Sequence, residues 1–321
     1  MPDEAERGYF DLGGLPAGAV DRRERDLVFW EKQMAAIRVL LDRDHVGLEE
    51  LRDGFETFGA ALYGSLGFFE RMYEATLRVL VRKGVLTRAA IEARVDALTV
   101  VYGSRPPLLP DADEPRDPYG GRYRVVAGPD APPSQYELRC HALRDELVAK
   151  GVFAADAVRG AIERIEAPGL HLGARIVARA WTDAAFRARI VADGMAACAE
   201  YGIPFLDGRL TVIENTPQVH NVVVCTLCSC YPRNLLGQPP AWYVGKAYRS
   251  RTVREPRAVL AEFGTHLPDD VAIRVHDSTA DLRYMILPLR PAGTDGWDAA
   301  RLEALVTRDS LIGVATARAA V

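Results

Sequence analysis

The sequence predicts an α+β protein with an all-helical N-terminal unit and a second unit in which helices precede strands. Over residues 1–102, apolar side chains recur at the three- and four-residue spacing of helices. A segment rich in proline, glycine and aspartate follows, and short β-rich runs begin only at Leu210. We therefore predict a helical domain at 1–102, a linker at 103–133 and a second domain at 134–321.

Three helices are predicted in the first domain. Two of them are indicated by apolar stripes, formed by Leu27, Trp30, Met34, Ile37 and Leu41 and by Phe69, Met72, Thr76 and Leu80. Thr87 can accept a hydrogen bond from a free amide at a helix start, so it predicts the N-cap of the third helix, which carries Ile91, Val95 and Leu98.

Three more helices open the second domain, followed by four strands. Ser134 and Glu137 have the spacing of a capping box at the first helix start, and Val158, Ile162 and Ile165 indicate the second helix. The third is expected from Thr182-Asp183 to near Gly202, as one continuous helix. The strands are predicted at 210–213, 221–224, 271–275 and 282–286.

Charge and hydropathy exclude several classes of partner. The formal net charge is only -4 and no concentrated basic stripe occurs, so neither nucleic acid nor an anionic membrane surface is an expected partner. Residues 1–8 lack the apolar core of a secretion signal, and no apolar run reaches the roughly 18 residues of a membrane helix. A cytoplasmic protein acting on a small molecule is the expectation.

Three of the five cysteines lie within six residues, at Cys225, Cys228 and Cys230. This spacing does not suit a disulfide framework in a chain of this size, and it predicts a metal site after the strand that ends at Val224. Cys140 and Cys198 lie in helical patterns and are expected to be buried thiols.

The cysteine spacing leaves the kind of metal site open. A structural zinc site would want a fourth cysteine or a histidine, and none follows at finger or ribbon spacing. The remaining ligands would then be the backbone amides of Ser229 and Cys230, and such a donor set favours a strong-field trivalent ion with one open position. An ordinary zinc site or a reactive thiol cluster remains the alternative at this point.

The flanking sequence closely resembles the α subunit of nitrile hydratase. The resemblance centres on the run Val224-Cys225-Thr226-Leu227-Cys228-Ser229-Cys230-Tyr231-Pro232. It extends over roughly residues 134–321 through the segments 178–183, 212–232, 239–243, 248–251, 261–264 and 282–285. It implies a helical arm followed by a layered α/β/β/α domain, and hydration of a nitrile to an amide.

The same resemblance implies a chemical state for each cysteine. Cys225 would be the axial thiolate, Cys228 a sulfinate and Cys230 a sulfenate, an oxidation that electron-rich metal-bound thiolates can undergo. Thr226 is similar to the cobalt branch of the family, so Co(III) is expected in preference to Fe(III). An activator chaperone for metal loading is also implied.

The N-terminal domain resembles a different chain of that enzyme, the N-terminal half of the β subunit. The resemblance rests on residues 9–14 and on residues 47–56, and the second segment implies that Arg52 bonds the oxidised cysteines. A guanidinium can donate two directed hydrogen bonds to sulfinate and sulfenate oxygens. The barrel-like C-terminal half of the β subunit, which supplies a second arginine, is not matched here, so a separate chain is expected to provide it. Arg52 could instead be a solvated residue on a helix face.

Two departures from the family concern the substrate pocket. Phe68 stands where the β subunit commonly has a tyrosine, and Arg233 follows Tyr231-Pro232 where a tryptophan often lines the pocket. A charged, flexible side chain there could open the pocket or favour a polar, bulkier nitrile. Tyr231 is a further pocket candidate.

Other polar residues could support the cysteines or form only structural hydrogen bonds. The candidates for support are Glu214, Asn215, Gln218, Arg249 and Arg251. No chemistry is assigned to His141, His171, His266 and His276. Two alternative functions stay open, a thiocyanate hydrolase and a catalytically inactive scaffold subunit that retains the fold.

Overall fold

The structure, a computed structural model, describes residues 8–41, 44–103, 119, 132–205 and 208–320. These residues form two compact units. One contains the described residues of Met1–Phe10 and Arg23–Arg164, and the other those of Asp11–Arg22 and Ile165–Val321. The predicted linker, 103–133, falls almost wholly outside the described residues.

Every regular element among the described residues of the first unit is a helix. Its helices are α1 Phe29–Leu40, α2 Leu48–Glu56, α3 Ala60–Ser65, α4 Phe68–Arg82, α5 Arg88–Tyr102, α6 Gln135–Ala149 and α7 Ala157–Glu166. Helix α4 packs against α1 and α2, and α5 packs against α6. Helix α6 therefore groups with the N-terminal helices, whereas the predicted second domain begins at residue 134. The predicted domain boundaries follow sequence character and resemblance, and they stay a prediction.

Helix starts in this unit follow the predicted caps. Thr87 Oγ1 accepts a hydrogen bond from the Ala90 amide at 3.1 Å, and Ser134 Oγ accepts one from the Glu137 amide at 3.1 Å. Each bond satisfies an amide that has no partner within the helix. Helices α2 and α3 were not predicted, because they are short and their apolar stripes are interrupted by Gly54 and Gly64.

The second unit combines short helices with four strands among its described residues. The elements are α8 Leu170–Thr182, α9 Ala184–Ala192, α10 Gly194–Glu200, β1 Arg209–Glu214, β2 Val219–Val224, α11 Arg233–Leu236, α12 Ala241–Val244, α13 Lys246–Arg251, α14 Pro256–Glu262, β3 Ala272–Asp277, β4 Leu282–Leu287, α15 Ala299–Glu303 and α16 Arg308–Ile312. All four predicted strands are present.

The single helix expected from Thr182-Asp183 to near Gly202 is wrong. Helix α8 ends at Thr182, and Asp183 Oδ1 accepts the Phe186 amide at 2.9 Å to start α9. Asp193 Oδ1 then accepts the Met195 amide at 3.0 Å and starts α10. An aspartate side chain that bonds a nearby amide favours a new N-cap over a continuous helix.

The strands pair in two parallel ladders. β1 pairs with β4, with Val212 opposite Met285, and β2 pairs with β3, with Val224 opposite Asp277. A parallel pair needs a long crossover, and helices α11 to α14 provide the one between β2 and β3. The carboxyl ends of β2 and β3 therefore lie side by side. Within the described residues, no helix is long and apolar enough to span a bilayer.

Candidate metal centre

The residues 225–230, here called the cysteine loop, leave the carboxyl end of a buried strand. Val222 and Val224 are fully buried, and Val224 O accepts the Ser278 amide at 2.7 Å. Cys225 is fully buried, Cys230 is 5% exposed and Cys228 is half-buried. The strand thus fixes the start of the loop, while the loop opens toward solvent at Cys228 and Ser229.

The three cysteine sulfurs converge. Cys228 Sγ lies 3.5 Å from Cys225 Sγ and 3.3 Å from Cys230 Sγ. The three sulfurs all lie within 4.8 Å of one another, and no histidine, carboxylate or further cysteine of the described residues joins them. The loop also curls far enough that the Cys228 amide donates to Cys225 Sγ at 3.3 Å. The three sulfurs are close enough together to bind one metal ion.

Arg249, from α13, holds the carbonyls at the start of the loop. Arg249 is 2% exposed, and its guanidinium donates from Nε to Cys225 O at 3.1 Å and from Nη2 to Thr226 O at 2.9 Å. The end of the loop is held by Tyr243 of α12, whose hydroxyl donates to Cys230 O at 2.7 Å. These three carbonyls are fixed by side chains from the crossover helices.

Asp277 at the end of β3 holds Thr226. One carboxylate oxygen accepts the Thr226 amide at 3.0 Å and the other accepts the Thr226 hydroxyl at 2.6 Å. Sequence reasoning missed both Asp277 and Tyr243. The signal for Asp277 was its place at the carboxyl end of a β-rich run, but the parallel pairing that brings it beside Cys225 was not predicted.

In the metal-free chain, Cys228 is the loop cysteine whose thiol loses its proton most readily. Hydrogen bonds from Cys225 and then from Cys230 hold the pKa of Cys228 well below the usual 9.0. Donation to Cys228 raises the pKa of Cys225 to about 12, and interaction with Cys225 raises that of Cys230. Elsewhere, burial raises the pKa of Cys140 to about 12 and of Cys198 to about 11. Both of these are buried thiols in helices, as predicted.

The other residues predicted to support the loop lie in different surroundings. Asn215 is buried and accepts the Asn221 amide at 2.8 Å, which ties the end of β1 to β2. Glu214 forms an ion pair with Arg187, and Gln218 is exposed in the turn before β2. Arg251 is paired with Glu255 and Glu262, each at 2.7 Å. Support of the loop by Glu214 and Gln218 stays a prediction.

The predicted pocket residues also have defined positions. Tyr231 is buried, and its ring meets Tyr243 edge to face at 5.0 Å. Arg233 is half-buried at the first residue of α11. In the first unit, Phe68 is buried at the start of α4, and Arg52 on α2 lies 3.3 Å from the Glu49 carboxylate. The roles of these four residues stay predictions.

The donor set fits a trivalent ion better than a structural zinc ion. Four side-chain ligands complete a structural zinc site, and the described residues offer three. Thiolates together with deprotonated amides of Ser229 and Cys230 would supply the strong field that Co(III) or Fe(III) requires. Cys228 and Ser229 are half-buried, so solvent reaches the loop on this side.

The chain matches two family models. The model described as "Nitrile hydratase, alpha chain" matches residues 134–315. The model described as "Nitrile hydratase beta subunit, N-terminal" matches residues 7–115. Both resemblances seen in the sequence are therefore confirmed, and a β-type segment precedes an α-type segment in one chain.

Curated relatives match the α-type part. The low-molecular weight cobalt-containing nitrile hydratase subunit alpha of Rhodococcus rhodochrous is 52% identical over 178 residues, which cover 55% of this chain and 86% of the relative. The cobalt-containing subunit alpha of Pseudonocardia thermophila is 49% identical over 184 residues, 56% of this chain and 90% of the relative. Thiocyanate hydrolase subunit gamma of Thiobacillus thioparus is 43% identical over 194 residues, which cover 57% of this chain and 80% of the relative.

Solved structures agree. A recombinant thiocyanate hydrolase with partially modified cobalt centres has a TM-score of 0.56 and 41% identity, covering 58% of this chain and 91% of that one. A double mutant of the Fe-type nitrile hydratase from Comamonas testosteroni Ni1 has the same TM-score and identity, and the match covers 58% of this chain and 93% of that one. The predicted fold class is thereby confirmed. Because the alpha-chain model matches more than half of the residues, the chain belongs to the nitrile hydratase alpha-chain family.

Proposed function

We propose that this chain is the metal-bearing subunit of a nitrile hydratase, which converts a nitrile to the corresponding amide at a Co(III) centre. The observation that supports this best is the convergence of three sulfurs with no fourth side-chain ligand among the described residues. Relatives whose names describe them as cobalt-containing favour cobalt, although an Fe-type enzyme is also among the similar structures. The family relation supplies the reaction class.

Five groups of the cysteine loop would hold the ion. They are the sulfurs of Cys225, Cys228 and Cys230 and the amide nitrogens of Ser229 and Cys230. Bound there, a trivalent ion would act as an exchange-inert Lewis acid with one open position. The buried Cys225 closes one side of the loop to water, so substrate would approach at the half-buried side of Cys228 and Ser229.

The overall reaction adds one water across the carbon–nitrogen triple bond. The water oxygen becomes bonded to the nitrile carbon, and both of its protons are finally carried by the amide nitrogen. Two parts are proposed for the sulfenate oxygen of Cys230. It either takes a proton from the water that attacks the nitrile carbon, or it first bonds to that carbon itself. In the second case, water then attacks the same carbon and the carbon–oxygen bond to Cys230 breaks, which restores the sulfenate and releases the amide. Arg249 and Tyr243, which bind loop carbonyls, would keep the sulfurs in place.

Metal analysis combined with mass spectrometry tests the proposal. The full chain, purified from cells supplied with cobalt, is expected to hold one cobalt per chain and to carry two added oxygens on Cys228 and one on Cys230. Cys228→Ser should abolish cobalt retention, whereas Cys198→Ser, at a buried thiol outside the loop, should leave it unchanged. Bound zinc, or unmodified loop thiols in the assembled protein, would contradict the enzyme and favour an inactive scaffold subunit.

We further propose that the active assembly contains a second polypeptide. The chain carries a match to the N-terminal part of the β subunit, and the predicted second arginine would come from a chain equivalent to its C-terminal part. Arg52 would supply the first arginine. An activator chaperone would load the metal, in the cytoplasm. Full hydratase activity from the purified chain running alone at its own mass would disprove the need for a partner.

Thiocyanate hydrolysis is the second candidate. A thiocyanate hydrolase subunit covers the same part of the chain at 43% identity, and Arg233 places a cation three residues after Cys230. A cation favours an anionic substrate over a neutral one. Parallel assays with thiocyanate, acrylonitrile and a heteroaromatic nitrile separate the candidates. If thiocyanate is the substrate, Arg233→Met should lower its kcat/KM more than that of either nitrile.

A further inference from the structure

A short segment near the N-terminus packs against the cysteine loop. Residues 11–22, here called the N-terminal strap, contain no helix or strand, yet they group with the second unit. Leu12 and Val20 are buried, with exposures of 6% and 8%. The strap belongs to the part of the chain that matches the β-subunit model, and the α-type match begins only at residue 134.

The strap reaches the loop at Thr226. The Leu12 amide donates to Thr226 O at 3.2 Å, so this carbonyl accepts from both Leu12 and Arg249 Nη2. Gly14 makes the next contact, donating its amide to Ser250 O at 2.7 Å on α13. The carbonyl that lies between Cys225 and Cys228 in sequence is thus held from two sides.

Gly13 allows this approach because it has no side chain. A Cβ placed at residue 13 would lie 3.1 Å from Thr226 Cγ2 and 3.3 Å from Thr226 Cβ, closer than ordinary van der Waals contact. Thr226 itself is held by both oxygens of Asp277, so it has little freedom to move aside. A side chain at position 13 must therefore displace either the strap or the loop.

The far end of the strap is anchored independently. Arg251 Nη1 donates to Gly18 O at 3.0 Å, and Glu262 Oε2 accepts the Val20 amide at 2.8 Å. Arg251 and Glu262 form an ion pair with each other at 2.7 Å. Because both ends are fixed to the same unit, the contact at Thr226 is not that of a loose terminus.

From these contacts, we infer that the N-terminal strap is a built-in part of the metal centre, in which Leu12 and Gly13 are positioning residues that set the path of the cysteine loop. This rests on the proposed function only for the identity of the ion. The strap would keep the three sulfurs at the spacing that retains the metal. Since the strap is covalently joined to the α-type part, it cannot be lost by dissociation.

The test compares Gly13→Ala and Gly13→Val with Gly64→Val in the full chain. Gly64 in α3 is exposed and a Cβ there meets no atom within 4 Å, so it is a matched glycine control outside the strap. Cobalt release to a chelator should be about fivefold faster or more in Gly13→Val, the effect of losing one hydrogen bond, and smaller in Gly13→Ala. The visible absorption of the cobalt–thiolate centre should shift in the same order, and Gly64→Val should match the unsubstituted chain.

A second measurement is independent of the metal. In the metal-free chain, Gly13→Val should speed the alkylation of the buried Cys225 and Cys230, while the buried Cys140 and Cys198 report whether the whole fold has loosened. Unchanged alkylation in Gly13→Val with unchanged cobalt release would overturn the strap inference. Failure of the unsubstituted chain to take up cobalt or iron would overturn the proposed function instead, and the alkylation result would still decide on the strap.

Discussion

The positive charge of Arg249 is buried beside the cysteine loop. Its guanidinium donates to the uncharged carbonyls of Cys225 and Thr226. The planar guanidinium can donate in two directions at once, whereas a lysine ammonium is a compact donor that cannot reproduce the fork. Burying a charge with fewer hydrogen bonds is costly. The side chain therefore holds the start of the cysteine loop in a way that no other cation can.

We predict that Arg249→Lys lowers the free energy of unfolding of the metal-free chain by about 1–3 kcal/mol, because one carbonyl loses its donor. Arg254→Lys is the control, since Arg254 is exposed and lies three residues after α13 ends at Arg251. Urea denaturation followed by circular dichroism measures the difference. Equal stabilities of the two variants would show that the fork is not needed.

The favoured thiolate at Cys228 predicts an order of reactivity. Because its pKa is held well below 9.0, Cys228 in the metal-free chain should be alkylated by iodoacetamide at neutral pH. Cys198, whose pKa burial raises to about 11, should react only as the pH rises toward that value. Peptide mass spectrometry across a pH series checks this, and preferential labelling of Cys198 at neutral pH would refute it.

At the scale of elements, the helix starts show what local sequence can predict. Ser134 with Glu137, and Thr87, are local patterns whose partners lie three residues away, so the sequence contains the whole interaction. The strands were equally visible as β-rich runs. The break at Asp193 was not predicted, because the reason for it lies partly in β1, where α10 must approach the strand closely at Gly194.

Gly194 and Gly160 should respond oppositely to alanine. A Cβ at Gly194 would lie 2.5 Å from Leu210 O, so Gly194→Ala should destabilise the chain by about 1–3 kcal/mol through overpacking. Gly160 lies inside α7, where a Cβ finds only Arg164 Nη1 at 3.4 Å, and Gly160→Ala should stabilise the helix by about 0.5–1 kcal/mol. Thermal denaturation midpoints measure both, and a shift of the same sign for the two variants would contradict the packing argument.

The candidate site was predictable to the extent that its residues are adjacent in sequence. The spacing of Cys225, Cys228 and Cys230 predicts a metal site. No such pattern predicts Asp277 or Leu12, since each contacts Thr226 from a distant part of the chain. Leu12 lies in a glycine-rich segment without periodicity, which carries no signal for its partner. Contacts of this kind follow from strand pairing and tertiary packing, which a single sequence leaves undetermined.

For the molecule as a whole, one buried and one half-buried histidine, His220 and His141, predict acid sensitivity. Desolvation lowers the pKa of His141 and His220 from the usual 6.5, and His220 donates from Nε2 to Gly313 O at 2.7 Å. Well above pH 6.5 both are neutral in the folded and in the unfolded chain. As the pH falls through 6.5 toward the lowered values, the unfolded chain binds more protons, so the free energy of unfolding decreases.

Urea denaturation at a series of pH values between 5 and 8 should show this loss, and His141→Gln should reduce its slope by removing one of the titrating groups. The measurement is made on the metal-free chain so that metal release does not contribute. A free energy of unfolding that rises on acidification over this range would reverse the expected sign.

The parallel pairing of β2 with β3 determines when the cysteine loop can close during synthesis of the chain. Thr226 can bond to Asp277 only after 51 more residues have been synthesised. His220 in β2 can bond to Gly313 only after 93 more. While the ribosome is still adding these residues, the three thiols are exposed to free metals and oxidants without their supports. The loop gains these supports only after residues 277 and 313 have been synthesised, so the order of biosynthesis favours insertion of the ion into the supported loop over its capture by the nascent loop.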